Sequence, residues 1–467
     1  MGRILRGVDA SKMGLRKEGS RVTECTGQRV LFSIGRREVT TVFDGGSVTS
    51  DAGVLLLSGI DRELGLTRKL AAALGDRRDP SKVRHEMEEL LRQRLFQICC
   101  GYEDVNDAGT LREDPGFQAA VGRVPGQCGS SLASQPTLSR LEVTVRRRQL
   151  VSFSEVLTGE AIRFWQGLGR KVPRTIILDF DSTDDPTYGD QQLTMFHGFY
   201  DQWQYLPLLV FDQHGVPWAA VLRPGNSHDS RGVVAVLRRL VARIRRAFPR
   251  ARIVFRGDAG FAAPVVYEFC EKEGLSYVIG QVTNSRLVRR GRPFLRKARA
   301  LFEKTGQKAK LFGHFRHRAK SWTKSRRIVT KAEVLPKGEN PRFVVTNLPG
   351  TPEEIYGFYV ERGQTENRIK DLKRALSADR LSCHRFLSNQ LRLLFHTAAY
   401  LLLFGLRQKL AGTSLASAQM DTLRLKLLKL GARVKVTARR VWFHLASAHP
   451  MASVWNSLAL TLARAPA

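Results

Sequence analysis

Residues 175 to 280 read as five short apolar runs in a fixed order, and that order restricts the fold more than any other feature of the chain. Residues 175–181 (TIILDFD) and 206–212 (LPLLVFD) have strand length, and Gln213, His214 and Gly215 turn the second into a third run, residues 217–222. A helical pattern over 230–246 follows, with Asp229 or Ser230 as its expected cap. Residues 252–257 (RIVFRG) form a fourth strand, 262–273 a helix and 275–280 a fifth strand. Three strands, then helix, strand, helix and strand, predict an α/β unit in which a mixed sheet carries helices on its faces.

This order resembles the ribonuclease H-like fold, and carboxylates stand where such a sheet presents a ligand. Asp179 and Asp181 are two apart at the end of the first strand and so share one face. Asp258 ends the fourth strand in GDAGF, where Gly257 and Gly260 leave room for a close-approaching ligand. The crevice of an open α/β sheet lies beyond the carboxyl ends of its strands, so Asp181 and Asp258 are expected to face it together. Glu366, on a later helix, completes a set of three. Three hard oxygen ligands suit Mg²⁺ or Mn²⁺. Each residue also has a plain structural reading: strand-end aspartates cap turns, and Glu366 can pair with Lys370 one turn on.

The segment 359–373 (YVERGQTENRIKDLK) sharpens the choice. At about 100° per residue, Tyr359, Arg362, Glu366 and Lys373 fall within an arc of roughly 60° on one helix. Phe358, Ile369, Leu372 and Leu376 occupy the adjoining arc, which predicts a helix packed on one side with a charged ladder along its edge. One carboxylate between two cations suits an anionic polymer and a metal.

Charge names the polymer. The chain has 467 residues with 76 Lys and Arg against 43 Asp and Glu, a formal charge of +33 that opposes folding unless an anionic partner is near. Nucleic acid is the expected partner. Residues 286–331 hold 17 Lys and Arg against a single acid, Glu303, which predicts a phosphate-facing surface. Trp322 lies within that run as a candidate for stacking on a base. Pro136 and Thr137 open a helix over 135–142 that carries Arg140 outward, as a groove-entering helix would. Helical patterns over 54–64, 67–74 and 87–100, the last closed by Gly101, precede it. Asn226, His228 and Asp229 in RPGNSHDS read as capping and loop residues. Tyr188 and His197 border the crevice in sequence, without metal-ligand spacing.

Six cysteines show no CxxC pair and no His at zinc spacing, the pattern of a reduced protein. The longest apolar run, 393–406, is interrupted by His396 and too short to span a bilayer, so it is expected as a core helix and no membrane partner is expected.

These motifs together resemble the DDE transposases of bacterial insertion sequences, in the cut-and-paste group with the signature Tyr-(2)-Arg-(3)-Glu-(6)-Lys. Tyr359, Arg362, Glu366 and Lys373 match every spacing, Asp258-Ala259-Gly260-Phe261 matches the second-aspartate motif, and Asp181-Ser182-Thr183 resembles the first. The resemblance covers about residues 40–450. Asp179 stays open as the alternative first ligand. The resemblance implies two divalent ions, Mg²⁺ or Mn²⁺, with Asp181 bridging them and Asp258 and Glu366 flanking. It implies cleavage of double-stranded DNA at terminal inverted repeats, a hairpin intermediate, and strand transfer into target DNA. Tyr359, Arg362, Lys370 and Lys373, with Trp322 and Arg140, are then DNA contacts, and Tyr359 is not a nucleophile. A homodimer at paired ends and a bacterial cytoplasmic, nucleoid-associated location are further implications. Asp258 and Glu366 are 108 positions apart, room for a strand-rich insertion. The expected division is a basic flexible arm (1–37), a helical DNA-binding domain (38–150), the first part of the core (151–281), the basic insertion (282–350), the second part of the core (351–410) and a basic C-terminal region (411–467). A DNA-binding protein without activity and a structure-specific nuclease share some of these features. The first would have lost a carboxylate or the ladder, and this chain has lost neither.

Overall fold

The computed structural model describes residues 29–168 and 173–463. A central sheet dominates it. Its main strands, numbered here in chain order, are β1 (Thr175–Ser182), β2 (Leu208–Asp212), β3 (Pro217–Val221), β4 (Arg252–Gly257), β5 (Ser276–Gln281), β6 (Ala309–His317), β7 (Arg326–Leu335) and β8 (Arg342–Thr346). They lie in the order β6-β7-β8-β5-β4-β1-β2-β3, with Gly338–Glu339 pairing β7. Only β1, β4 and β5 run parallel, and every other neighbour is antiparallel. The mixed α/β class expected from the strand order is present. β1 is buried from Ile176 through Asp181 because it sits mid-sheet with both faces covered, which is why it reads as a continuous apolar run.

Helices cover both faces. Taking the helices used below in chain order, α1 is Met87–Cys99, α2 Gln135–Val143, α3 Arg147–Gly167, α4 Val233–Ala247, α5 Ser285–Thr305, α6 Pro352–Val360, α7 Gly363–Lys370 and α8 Phe386–Gln408. In α4, Val233, Leu237, Leu240, Val241 and Ile244 are buried at helical spacing, and its arginines face outward. It starts later than expected. Gly232, at φ 80°, makes a left-handed turn before Val233, so neither Asp229 nor Ser230 caps it.

Three expectations about organisation are corrected. Residues 282–350 are not a separate strand-rich insertion. Asn284 accepts from the backbone N–H groups of Arg286 and Leu287, both at 3.1 Å, and starts the 21-residue helix α5, in which Leu287, Gly291, Leu295 and Ala298 face inward. The strands that follow extend the central sheet, since β8 pairs with β5 from Gln281↔Phe343 to Val278↔Thr346. The helical N-terminal portion is likewise no independent domain. Helix α8 is buried at every residue from Leu391 to Phe404 and packs against α1, α3 and β3, so residues 38–150 and 351–410 share one core. A helix apolar on all sides must be enclosed, and the N-terminal helices supply the enclosure. Of the expected arm, residues 1–28 lie outside the described residues, and Arg29–Ile34 forms a hairpin with Arg37–Thr41. The C-terminal strand Ala432–Val436 pairs with Val48–Thr49 and closes the same body. Among the described residues no helix is long and apolar enough to cross a membrane.

Candidate active site

The parallel pairing of β1 with β4 sets the register that matters: Gly257 lies opposite Phe180. The next residue of each strand, Asp181 and Asp258, therefore emerges at the same end of the sheet. Phe180 turns to the other face and packs against Phe255 and Phe261, ring centroids 4.6 and 6.4 Å away, which fixes the direction in which Asp181 points. Asp258 accepts from the backbone N–H of Gly260 at 2.9 Å and caps the short turn Ala259–Phe261. Gly260 has no room for a side chain, because a Cβ there would stand 2.1 Å from an Asp229 carboxylate oxygen. A Cβ on Gly280 would stand 2.6 Å from the Tyr359 hydroxyl and 2.8 Å from the Ala259 nitrogen, so that glycine lets Tyr359 reach the Asp258 turn.

Asp181, Asp258 and Glu366 line one cleft of 520 Å³ with Arg362, Lys370 and Lys373. Asp181 is 7 % exposed, while the Glu366 side chain is 53 % exposed. Arg362 stands between them, 3.4 Å from an Asp181 oxygen and 3.4 Å from a Glu366 oxygen, with its guanidinium 6.0 Å from the Tyr359 ring centre. Burial pushes the Asp181 carboxyl up to about 7; Arg362 opposes the shift, and Asp258 and Glu366 add to it. Burial also raises Asp258, with Arg362 again opposing and Asp229 adding. Burial raises the Tyr359 phenol above its ordinary value too, so it is protonated at neutral pH and can donate a hydrogen bond.

The single-helix stripe is corrected. Helix α6 ends at Val360, Glu361 and Arg362 form a turn, α7 begins at Gly363, and Asp371–Ala375 is a π turn holding Lys373. Arg368 fixes α7 by donating to the carbonyls of Asp212 (2.7 Å) and Gln213 (2.9 Å) in the β2–β3 turn. The π turn carries Lys373 onto Asp184, whose carboxylate and carbonyl oxygens both accept at 2.9 Å. Lys370 is exposed at the cleft and makes no ion pair with Glu366.

Asp179 is fully buried and bound at both oxygens by Arg256, at 2.5 and 2.9 Å. It does not line the cleft. Arg256 also donates to the Phe358 carbonyl (2.7 Å) and covers the Phe358 ring, centroid at 4.9 Å, so this pair ties α6 to the sheet. The expectation for Trp322 is corrected as well. It is 5 % exposed and packed between Tyr267 and His317, with the Arg326 guanidinium over its ring, so no face is offered to a base. Arg140 is exposed on α2 and lines a different, larger cavity of 1150 Å³ with Arg77, Arg84, Arg123 and Arg146.

Three residues that bear on the cleft were not assigned there from sequence. Tyr200 lines it, and burial followed by Asp184, Asp229, Asp181 and Asp258 pushes its phenol up to about 12. Asp229 presses against Gly260, beside Asp258. Arg223, 5 % exposed, donates to the Leu206 carbonyl, the Asp229 carbonyl and the Ser182 hydroxyl at 2.8, 2.7 and 2.7 Å, and so holds the loops around Asp181. For Arg223 and Asp229 the signal was RPGNSHDS, a dense polar loop between a strand and a helix that reads equally well as caps.

The donor chemistry fits a hard divalent cation. Asp181, buried, and Asp258, half-buried, are carboxylates held above their ordinary range with Arg362 as the cation that opposes both shifts, and added positive charge would relieve both. Among the described residues no three His, Cys, Asp or Glu side chains converge closely enough to hold an ion as they stand. The Asp181 shift carries a pH dependence. Between 3.8 and 7 the folded protein holds a proton that the unfolded chain has released, so stability falls as pH climbs through that window. In chelator, Asp181→Asn should match the wild type near pH 4 and exceed its stability at pH 8 by about 1–4 kcal/mol. Melting curves at both values measure this, and a gap independent of pH would refute it. Mg²⁺ should narrow the gap at pH 8 by binding the folded wild type.

No curated protein matches the chain. Among solved structures it is similar to a piggyBac transposase in a synaptic complex with hairpin DNA, at 13% identity and a TM-score of 0.42, covering 81% of this chain and 80% of that one. The family model described as transposase DDE domain group 1 matches residues 32–467, and the chain belongs to that family.

Proposed function

We propose that this protein is a metal-dependent DNA transposase of a bacterial insertion sequence, cutting at inverted-repeat ends and joining the freed 3′ end to target DNA. Its catalytic unit is read as ribonuclease H-like, with Asp181, Asp258 and Glu366 as the catalytic carboxylates. The observation that carries the reading is the β1–β4 register, which brings Asp181 and Asp258 out at one end of the sheet, in a cleft shared with Glu366 and four cations. Family membership supports it.

The three carboxylates would hold two divalent ions, Mg²⁺ or Mn²⁺, which supply a Lewis acid and an activated water or 3′-hydroxyl when bound. The chain's own residues do the rest. Arg362, between Asp181 and Glu366, is placed to exchange those carboxylates for a phosphate as the substrate arrives. Tyr359, protonated and set against the Asp258 turn, donates a hydrogen bond to the strand and forms no covalent intermediate. Lys370 supplies an exposed charge at the cleft, and Lys373 fixes the π turn through Asp184. Arg140 and its neighbouring arginines offer a second phosphate-binding surface. Excision through a DNA hairpin, a homodimer at paired ends and action at the bacterial nucleoid belong to the same reading.

The test is a strand-transfer assay. Purified protein, Mg²⁺ and a plasmid carrying the DNA that flanks the gene should yield nicks at the terminal repeats and products joined to a second plasmid. Cutting without joining would make the protein a structure-specific nuclease, and neither product would end the proposal.

A further inference from the structure

Asp229 does not do what its place in the sequence suggests. It lies between β3 and α4, where a helix cap is expected, yet α4 starts after Gly232 and takes no side-chain hydrogen bond at its N-terminus. Among the described residues the Asp229 carboxylate joins no hydrogen bond or ion pair; only the backbone carbonyl is bound, by Arg223 at 2.7 Å.

The place of that carboxylate is nevertheless built. Buried Arg223 donates to the carbonyls of His228, Asp229 and Arg231 at 3.4, 2.7 and 3.1 Å, as well as to Leu206 and Ser182, and so sets the course of the loop. Its guanidinium is committed to these groups and makes no ion pair with the Asp229 carboxylate. On its other side the carboxylate meets Gly260, where a Cβ would stand 2.1 Å from one oxygen, 2.6 Å from the carboxyl carbon and 2.8 Å from the Asp229 Cβ. The N–H of the same glycine binds Asp258 at 2.9 Å. Two carboxylates therefore flank one residue, and Asp229 is the reason that residue has no side chain. Burial raises the Asp258 carboxyl and the Tyr200 phenol, and Asp229 adds to both, so its charge is felt in the cleft.

Holding an unpaired carboxylate beside another raises the energy of the empty cleft. An arriving cation offsets that cost. Two divalent ions bring four positive charges to Asp181, Asp258 and Glu366, and Arg362 already stands against two of the three. A fourth carboxylate matches the incoming charge.

We propose that Asp229 is a fourth carboxylate of the cleft, a positioning residue that acts through Asp258 and whose charge strengthens the hold on a divalent cation. The inference rests on reading the cleft as a divalent-cation site, and it adds a residue outside the set of three.

Mn²⁺ binding to the full-length protein can be measured by calorimetry, first alone and then with a duplex from the DNA that flanks the gene. Asp229→Asn keeps the shape that fills the space over Gly260 and removes the charge. It should weaken Mn²⁺ binding about tenfold. In chelator it should melt at or above the wild-type temperature, because repulsion of Asp258 is relieved, and bind the duplex as the wild type does. Cleavage by the variant should need about tenfold more Mn²⁺ and recover at saturation, which separates weaker cation binding from a damaged fold. Wild-type Mn²⁺ affinity in Asp229→Asn would overturn the proposal, and a lower melting temperature in chelator with that affinity would make Asp229 a packing residue of the loop. Asp258→Asn separates the two readings. If it abolishes Mn²⁺ binding while Asp229→Asn does not weaken it, the cation site stands without Asp229. If the wild type binds no Mn²⁺ under either condition, the cation reading of the cleft falls and this inference with it.

Discussion

Replacing Glu366 with Gln should lower DNA cleavage by about a thousandfold or more and leave DNA binding close to wild type. The substitution keeps the shape of the side chain and removes its charge. Under the proposed role of Glu366 as a metal ligand, loss of its charge removes several kcal/mol of transition-state stabilisation, and each 1.36 kcal/mol is worth a factor of ten. Stability should barely move, because the Glu366 side chain is half exposed and its ion-pair partner, Arg362, lies at the long distance of 3.4 Å. Asp258→Asn should cause a similar loss of cleavage with no loss of stability, since burial already disfavours its charged form. Cleavage of end-labelled DNA and binding in chelator measure the two halves. Cutting by Glu366→Gln at the wild-type rate would remove Glu366 from the site.

Asp179→Ala should behave in the opposite way. Removing this carboxylate leaves the Arg256 guanidinium, 3 % exposed, with the exposed Glu361 carboxylate at 3.3 Å in place of its buried bidentate partner, at a cost approaching about 3–5 kcal/mol of folding stability. Cleavage would fall with the folded population, and binding with it. Replacing both residues with apolar side chains of similar size should recover much of the stability, because the pair goes together. Asp181→Asn, two residues along the same strand, should keep the fold and lose the chemistry. Denaturant melts of these three variants distinguish structural from catalytic aspartate. If Asp179→Ala melted like the wild type and still failed to cut, Asp179 would be the catalytic residue.

The difference between those neighbours shows where sequence is legible. Residues 175–181 and 206–212 read as strands because buried mid-sheet strands are mostly apolar along their length, and GDAGF announced a tight strand end. Asp179 and Asp181 look alike in the chain because only the partner separates them, and Arg256 is 77 positions away. The break at Glu361 and the π turn at Asp371–Ala375 escaped notice for a related reason. A turn of two residues and a one-residue excess shift helical phase too little to disturb a short pattern. Trp322 sits among cations in sequence whether it is packed or presented, and its burial depends on Tyr267. The supposed boundary after residue 150 failed because α1 and α8 meet through residues such as Cys99 and Ala399, 300 positions apart, and no local pattern records that contact.

That shared core bears on the fate of shortened gene copies. With α8 threaded among helices from the opposite end of the chain, a product that stops before residue 386 leaves those helices with their apolar faces in water. Such a fragment would aggregate or be degraded before it could occupy DNA ends in competition with the intact protein. Under the proposed function, simple truncation could not then yield a dominant inhibitor, and any brake on transposition would have to act on the full-length chain or on its expression.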